Sequence, residues 1–512
     1  MPSLDDFLRR GYFPKELLPP FTTSSYADAL NGLGTVPDSN FKQTKCIRFS
    51  HSKYASLRRD LSIPNPYPFY ELAALLSAHW GEVETQWNNS PYTRSAPVPS
   101  MTRAVEGNTN FNALPNARAE VRSSGRFLLN ADVSKCYHTI YTHSLPWALH
   151  TKPVAKNNQK WPPAGGKPPL VGNGLDLWSR NLQDAQTIGL PVGPDTSFVL
   201  AEALLSAVDQ LVASKIAGAR GFRFVDDYEF VCDTLEQAEQ VLSVLQWALA
   251  EFELSLNPKK TTIKELPTAL DTTWVNAFCE LEFAAESPKL QRQLTRYFTD
   301  AFELTCKFPG DPVLKYAAAR LPDNPPDDAA ANLIQRLSLQ AACVDSGTLQ
   351  HTLRSFWDHR SAGRDLDLVA LKRALDFIVQ RHALLGHSSE VAWCIWAADV
   401  FTVQLSTSSA NCIGNMVDDV VALTALDGIQ KGAFETPPNT NNWEYIINNT
   451  SLKEEHWLLL FEAIGQGWLP PPVGGDPALA DPFFNHLRTQ DVRFYDTAAT
   501  LDIPEPPGPD TY

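Results

Sequence analysis

The segment GFRFVDDYEFVC, Gly221 to Cys232, constrains the fold more than any other stretch. Alternating aromatic and aliphatic residues on both sides of Asp226 and Asp227 ask for a β-hairpin whose two-residue turn carries two adjacent carboxylates. Burying two like charges is expensive without a counter-ion. An isolated Asp-Asp pair therefore reads first as an exposed turn. The sharper reading is a Mg²⁺ site, because Mg²⁺ takes carboxylate oxygens and is completed by water and substrate phosphate. A third carboxylate shifts the balance toward the metal. Asp132 ends the apolar run Phe127-Leu128-Leu129 and lies 94 residues before Asp226. If the two strands are neighbours, the three carboxylates meet as a two-metal nucleotidyl-transfer site requires.

The surrounding sequence has α+β grammar. RFLLNADV and GFRFVDDYEFVC are strand-like, while TSFVLAEALLSAVDQLVASKI and LEQAEQVLSVLQWALAEF carry apolar residues at helical spacing. Four segments are expected: an N-terminal segment over 1–117, a mixed unit over 118–285, an almost wholly helical region over 286–500 and a mobile Pro-rich tail over 501–512. The N-terminal segment contains a helix around Tyr70 to Trp80 that follows IPNPYPF. In the helical region Leu368, Leu371, Leu375 and Ile378 share one face. Trp393, Ile395 and Trp396 beside Val391 make another helix apolar on more than one side, as in a stacked bundle or irregular solenoid. Thr436 to Asn449 reads as a loop.

With 43 Lys and Arg against 58 Asp and Glu, the net charge of −15 excludes a protein that coats nucleic acid through overall charge, but permits a local basic channel. The eight cysteines lack CxxC spacing, so neither a disulfide framework nor structural zinc is expected. The start is acidic and proline-broken, and no run of about 20 apolar residues follows, which points to a cytoplasmic protein without a membrane partner.

Four motifs in order resemble the reverse transcriptases, and within them the bacterial defence-associated and abortive-infection group, which joins a fingers-palm polymerase core to a long helical C-terminal domain. They are NADVSKCYHTI around Asp132, GLPVGPDTSFVLAE from Gly189 to Glu202, FVDD from Phe224 to Asp227, and LSLNPKKTTI from Leu254 to Ile263. The resemblance to the core covers roughly residues 40 to 285. It implies Asp132, Asp226 and Asp227 as catalytic, metal-binding carboxylates for Mg²⁺, with Mn²⁺ as the alternate ion. Tyr137 takes the place of the aromatic that contacts the sugar and excludes a 2′-hydroxyl. Two departures stand out: Phe224 where many relatives carry Tyr, and Val192 where retroviral enzymes carry Gln.

The residues around these motifs fit the same chemistry. Gly189, Pro191, Gly193 and Pro194 fix a sharp bend before a helix, letting a nucleotide approach the backbone as a binding wall. Phosphate needs cations, and Lys259 and Lys260 after Pro258, with Lys53 and Arg59 in the expected fingers, are the ones favoured; solvated basic turns are their plain alternative. Cys136 and Cys232 read as small core residues, since Mg²⁺ prefers oxygen. Asp418 and Asp419 read as a polar helix face, and His456 and Trp457 as packing residues of the helical region.

The function expected is Mg²⁺-dependent addition of deoxynucleotides to a primer hydroxyl in antiphage defence. Synthesis is either copied from RNA or template-independent, and a tyrosine of the protein is one possible primer implied by the resemblance. Expected partners are nucleic acid, as DNA product and as RNA template or noncoding RNA, and further copies of the chain. The alternatives are an inactive nucleic-acid-binding scaffold, against which the complete carboxylate set argues, and an RNA polymerase, which the Tyr137 ring disfavours.

Overall fold

The computed structural model describes residues 1–54, 57–109, 113–163, 167–279 and 282–499; the tail over 501–512 lies outside the described residues. Strands β1 (Ile47–Tyr54) and β2 (Leu57–Ile63) form an antiparallel hairpin pairing Ile47 with Ile63 and Phe49 with Leu61. These four side chains are buried on one face, the period-two pattern of a strand with one covered side. The helix Pro66–Ala78 follows, its first turn set by Pro66 and capped by Asn65, whose side chain accepts the Tyr67 N–H. The short strands β3 (Pro97–Pro99) and β4 (Val105–Gly107) then pair with each other.

The palm is a four-stranded antiparallel sheet of β5 (Phe127–Asp132), β6 (Arg220–Phe224), β7 (Asp227–Cys232) and β8 (Thr262–Glu265), in the order β6-β7-β5-β8. Antiparallel pairing sets the last residue of β5 against the first of β7, so Asp132 lies opposite Asp227. The helix Leu235–Ala250 lies across β5 and β7, and Asp195–Lys215 packs beside it. Asp195–Lys215 is long and apolar enough to cross a membrane by length and composition, and it is mostly buried inside this protein. Cys136 and Cys232 are buried core residues, as expected.

Helices dominate from Ser287 onward. Ser388–Val400 is the central one, buried almost throughout and packed against Leu368–Ala383, Asp419–Lys431 and strand β1. Within Leu368–Ala383, Leu371, Leu375 and Ile378 are buried as expected, whereas Leu368 at the first turn is exposed because its face has not yet reached a neighbour. The stretch Thr436 to Asn449 is not all loop: Asn441–Ile446 is helical, anchored by buried Trp443, whose indole N–H donates to the Met416 carbonyl at 2.9 Å. Asp418 and Asp419 do not form a polar face. Asp418 caps the helix Asp419–Lys431 by accepting the Val421 N–H, and Asp419 is buried, because both carboxylates find donors inside the protein.

The two ends of the chain share a core. Tyr12 stacks on Phe69 with centroids 4.1 Å apart and meets Phe494 edge-on, while the Thr22 N–H donates to the Phe494 carbonyl at 3.0 Å. Each such fully buried large side chain contributes about 1.5–3 kcal/mol, so this packing fixes the N-terminal segment to the last helices. Trp457 belongs to the same buried cluster. A second joint links β2 to the helical region: Arg58 reaches both carboxylate oxygens of buried Glu390, with a 2.8 Å contact from Nη2 to Oε2.

Candidate active site

Strand pairing alone brings two of the three carboxylates together. Asp132 and Asp227 are register partners whose side chains are in hydrogen-bond contact, and the Val133 N–H donates to the Asp226 carbonyl at 3.0 Å. Phe224 pairs with Asp227, so the turn consists of Val225 and Asp226, and Asp227 opens β7. The turn therefore carries one carboxylate rather than two, because register is set by the inward-facing aromatics of both strands.

The electrostatics are those of a crowded acidic cleft. Burial, then the Asp226 charge, pushes the Asp227 carboxyl up to about 7, although the residue remains solvent-accessible at the mouth. Asp226 is raised by burial and by Asp132. The lysine at hand is Lys260, whose Nζ lies 2.6 Å from Asp132 Oδ2. Burial pulls Lys260 down, but its hydrogen bond to Asp132 and the three aspartates outweigh this and leave it raised. An all-oxygen donor set carrying excess negative charge suits a hard divalent cation such as Mg²⁺, which would offset the burial and mutual repulsion that raise the Asp226 and Asp227 carboxyls.

The turn is held under strain. Val225 has φ +54°, a conformation a β-branched residue rarely adopts and that costs about 1–3 kcal/mol. Its N–H donates to Ser95 Oγ at 2.8 Å and its carbonyl accepts from Arg223 Nη1 at 2.8 Å. Arg223, fully buried, lies between Glu202 and Asp209 of the helix Asp195–Lys215, with contacts of 2.7 and 2.8 Å. Sequence reasoning missed this cluster. Its signal was available: an Arg between two phenylalanines of a strand, two residues before the turn, and two acids two turns apart on an apolar helix.

The other expected site residues divide. Tyr137, in the short helix Cys136–Thr139, is half-buried, and burial raises its hydroxyl well above the usual range, with Cys136 and Asp226 adding to it. Its carbonyl accepts the Leu190 N–H at 2.7 Å, and the Gly189 N–H reaches the Ile140 carbonyl at 2.8 Å, so the Gly189–Gly193 bend is tied directly to the Asp132 strand-end segment. Gly189 and Gly193 have φ +95° and +127°, and a Cβ on Gly193 would lie 2.6 Å from Pro14. Pro191 is buried, and the Val192 carbonyl accepts the Ser62 N–H of β2 at 2.8 Å, which couples the hairpin β1–β2 to the bend. Lys53 and Arg59 on that hairpin face the carboxylates: burial, Arg59 and Lys260 lower the Lys53 ammonium while Asp226 and Asp132 oppose them. Lys259 is exposed, with its N–H capped by Asn257 Oδ1 at 3.1 Å, and Lys260 is the member of the pair that reaches the aspartates.

Elsewhere His382, His387 and Glu390 lie close enough to suggest a metal-ligand set. Glu390 is already neutralised by Arg58 and accepts the Ser346 hydroxyl at 2.7 Å, and the two imidazoles hydrogen-bond each other through Nδ1 at 2.8 Å. That cluster is the joint between β2 and the helical region.

Residues 90–291 match the family model described as reverse transcriptase (RNA-dependent DNA polymerase). The palm sheet and its three aspartates thus lie in a reverse-transcriptase domain, followed by a helical C-terminal region, and the hairpin β1–β2 lies upstream of the matched residues. Among solved structures, the chain is similar to apo telomerase from Candida tropicalis, with TM-score 0.33 and 10% identity over 78% of this chain and 68% of that one. It is also similar to telomerase from Candida albicans in complex with a TWJ fragment of telomeric RNA, with TM-score 0.30 and 12% identity over 80% and 67%. Likenesses this weak carry no argument beside the family match. No curated protein matches the chain.

Proposed function

We propose that the protein is a Mg²⁺-dependent DNA polymerase of reverse-transcriptase type acting in antiphage defence. The observation that carries this reading is the pairing of Asp132 with Asp227, with Asp226 on the adjoining turn, inside a reverse-transcriptase domain. Asp132, Asp226 and Asp227 would hold the metal ions. Bound there, Mg²⁺ supplies the charge that makes a primer 3′-hydroxyl nucleophilic and stabilises the transferring phosphoryl group. The chain's own residues do the positioning. Tyr137 crowds the sugar so that a deoxyribose fits and a 2′-hydroxyl does not. The Gly189–Gly193 bend forms the wall beside it. Lys53 and Arg59 lie where a triphosphate would need counter-charge, and Lys260, hydrogen-bonded to Asp132, would supply a cation for the departing pyrophosphate.

The helical region is proposed to shape the primer or product path and to support self-assembly in the cytoplasm, with RNA or no template directing synthesis. The test is incorporation by the purified protein with each deoxynucleotide set, with and without added RNA, followed by sequencing of the product. Products that follow the RNA establish copying, and products of fixed composition without it establish untemplated addition. Absence of any incorporation with Mg²⁺ or Mn²⁺ overturns the reading. Preference for ribonucleotides, unchanged in Tyr137→Ala, would favour an RNA polymerase instead.

A further inference from the structure

We propose that Arg223, through Val225, is a positioning residue for the carboxylate turn: its buried ion cluster exists to hold one strained peptide unit in the conformation that presents Asp226 and Asp227 to a metal. This rests on the metal-site reading of those aspartates.

The cluster is more elaborate than folding requires. Arg223 donates to both oxygens of Asp209 and, through Nη1 and Nη2, to both oxygens of Glu202. The remaining acceptor capacity is filled by hydroxyls. Tyr228 and Ser90 donate to Asp209 at 2.9 and 2.6 Å, and Thr93 and Ser95 donate to Glu202 at 2.5 and 3.1 Å. One guanidinium thus stands against two carboxylates with every strong acceptor satisfied. Replacing such a group with apolar side chains of equal volume is often neutral or stabilising, so stability alone gives no reason to keep it.

Apolar side chains could not do what the cluster does next. Both backbone polar groups of Val225 end in it: the carbonyl on Arg223 Nη1, and the N–H on Ser95 Oγ, which itself donates to Glu202. Val225 is the residue at φ +54°, directly before Asp226. A β-branched residue left to itself would leave that conformation, and the Asp226 carboxylate would swing with the peptide. The hydrogen bonds therefore act on the site through the turn. Arg223 touches neither metal nor substrate.

Ser95 gives the cleanest test, because Ser95→Ala keeps the Arg223–Glu202 and Arg223–Asp209 ion pairs and removes the acceptor for the Val225 N–H together with one hydroxyl donor to Glu202. Mn²⁺ binding to the purified protein, read by electron paramagnetic resonance without nucleotide, is the primary measurement, with Asp227→Asn as the control that locates the site. Ser95→Ala should weaken Mn²⁺ binding about tenfold, the loss expected for one backbone hydrogen bond, and lower kcat similarly with the deoxynucleotide KM unchanged. Glycine adopts positive φ without steric penalty, so adding Val225→Gly to Ser95→Ala should recover most of the binding. A merely structural role would lower the melting temperature in both variants without that recovery. Unchanged Mn²⁺ affinity in Ser95→Ala, or a loss that Val225→Gly fails to restore, overturns the proposal. If the wild-type protein binds Mn²⁺ as described but polymerises nothing, the polymerase reading fails and the positioning role stands. If Asp227→Asn binds Mn²⁺ like wild type, both fall.

Discussion

Asp226–Asp227 and Asp418–Asp419 are the same two letters in two regions, and their surroundings separate them. The first pair lies at a strand turn beside a third aspartate, with Lys260 reaching only Asp132. The second begins a helix in the C-terminal region. There Asp418 accepts the Ser388 hydroxyl and the Val421 N–H, while Asp419 accepts His456 at 2.7 Å and the Leu459 N–H at 2.9 Å. Burial raises carboxyls in both places, to about 6 for Asp418 and about 7 for Asp227, yet the helical pair is met by hydroxyl, imidazole and backbone donors while the turn pair faces a third carboxylate. A cation is invited where carboxylates crowd one another faster than the fold can neutralise them.

The comparison breaks most visibly in activity. Asp227→Asn should reduce nucleotide incorporation by about three orders of magnitude or more, since it removes a metal ligand. It should leave metal-free thermal stability equal to or above wild type, because a repelling charge has gone. A large drop in melting temperature would make Asp227 structural, like the helical pair. The reverse pattern is expected of Asp419→Ala, which leaves His456 beside an empty buried position. Breaking such a pair costs about 3–5 kcal/mol, read by chemical denaturation, whereas an Asp419→Ala protein as stable as wild type would dissolve the contrast.

Glu462 sharpens the same point through pH. It is wholly buried, accepts the Phe494 N–H at 2.5 Å, and burial pushes its carboxyl up to about 7 from the ordinary 4.5. Between those values the folded protein keeps a proton that the unfolded chain releases. The corresponding stability is therefore full below about 4.5 and is lost as the pH rises toward 7. Relative to wild type, Glu462→Gln should gain about 1–3 kcal/mol in going from pH 4.5 to pH 8, measured by denaturation at both values. An unchanged difference would mean that Glu462 ionises normally. The smallest effect belongs to the exposed neighbour of Lys260: Lys259→Ala should change stability by less than about 0.5 kcal/mol and incorporation less than about twofold. Lys260→Ala should lower incorporation several-fold, and equal effects in the two variants would erase the distinction between them.

Much of this site was legible because its signals are local. Phe222, Phe224, Tyr228 and Phe230 alternate around the turn, and an apolar run ends at Asp132, so strand identity and the carboxylate pair can be read from neighbours in sequence. The exact turn residues were not legible, since register depends on which aromatics find the core, and that moved Asp227 out of the turn and into β7. Arg58 and Arg59 show the same limit. Adjacent basic residues on one strand project to opposite faces, and only the fold sends Arg58 to Glu390 while leaving Arg59 toward the aspartates.

The sequence by itself determined the mixed palm, the helical region after it and the identity of three acids and the motifs around them in order, because strand and helix periodicity and turn chemistry act over a few residues. Tertiary structure alone decided which charges remain unneutralised. Arg223 meets Glu202 and Asp209 only when a strand packs on a helix, and Phe494 and Tyr495 complete a core begun by Tyr12 only when the chain ends meet. Charge compensation depends on distances between residues far apart in sequence, and packing sets those distances.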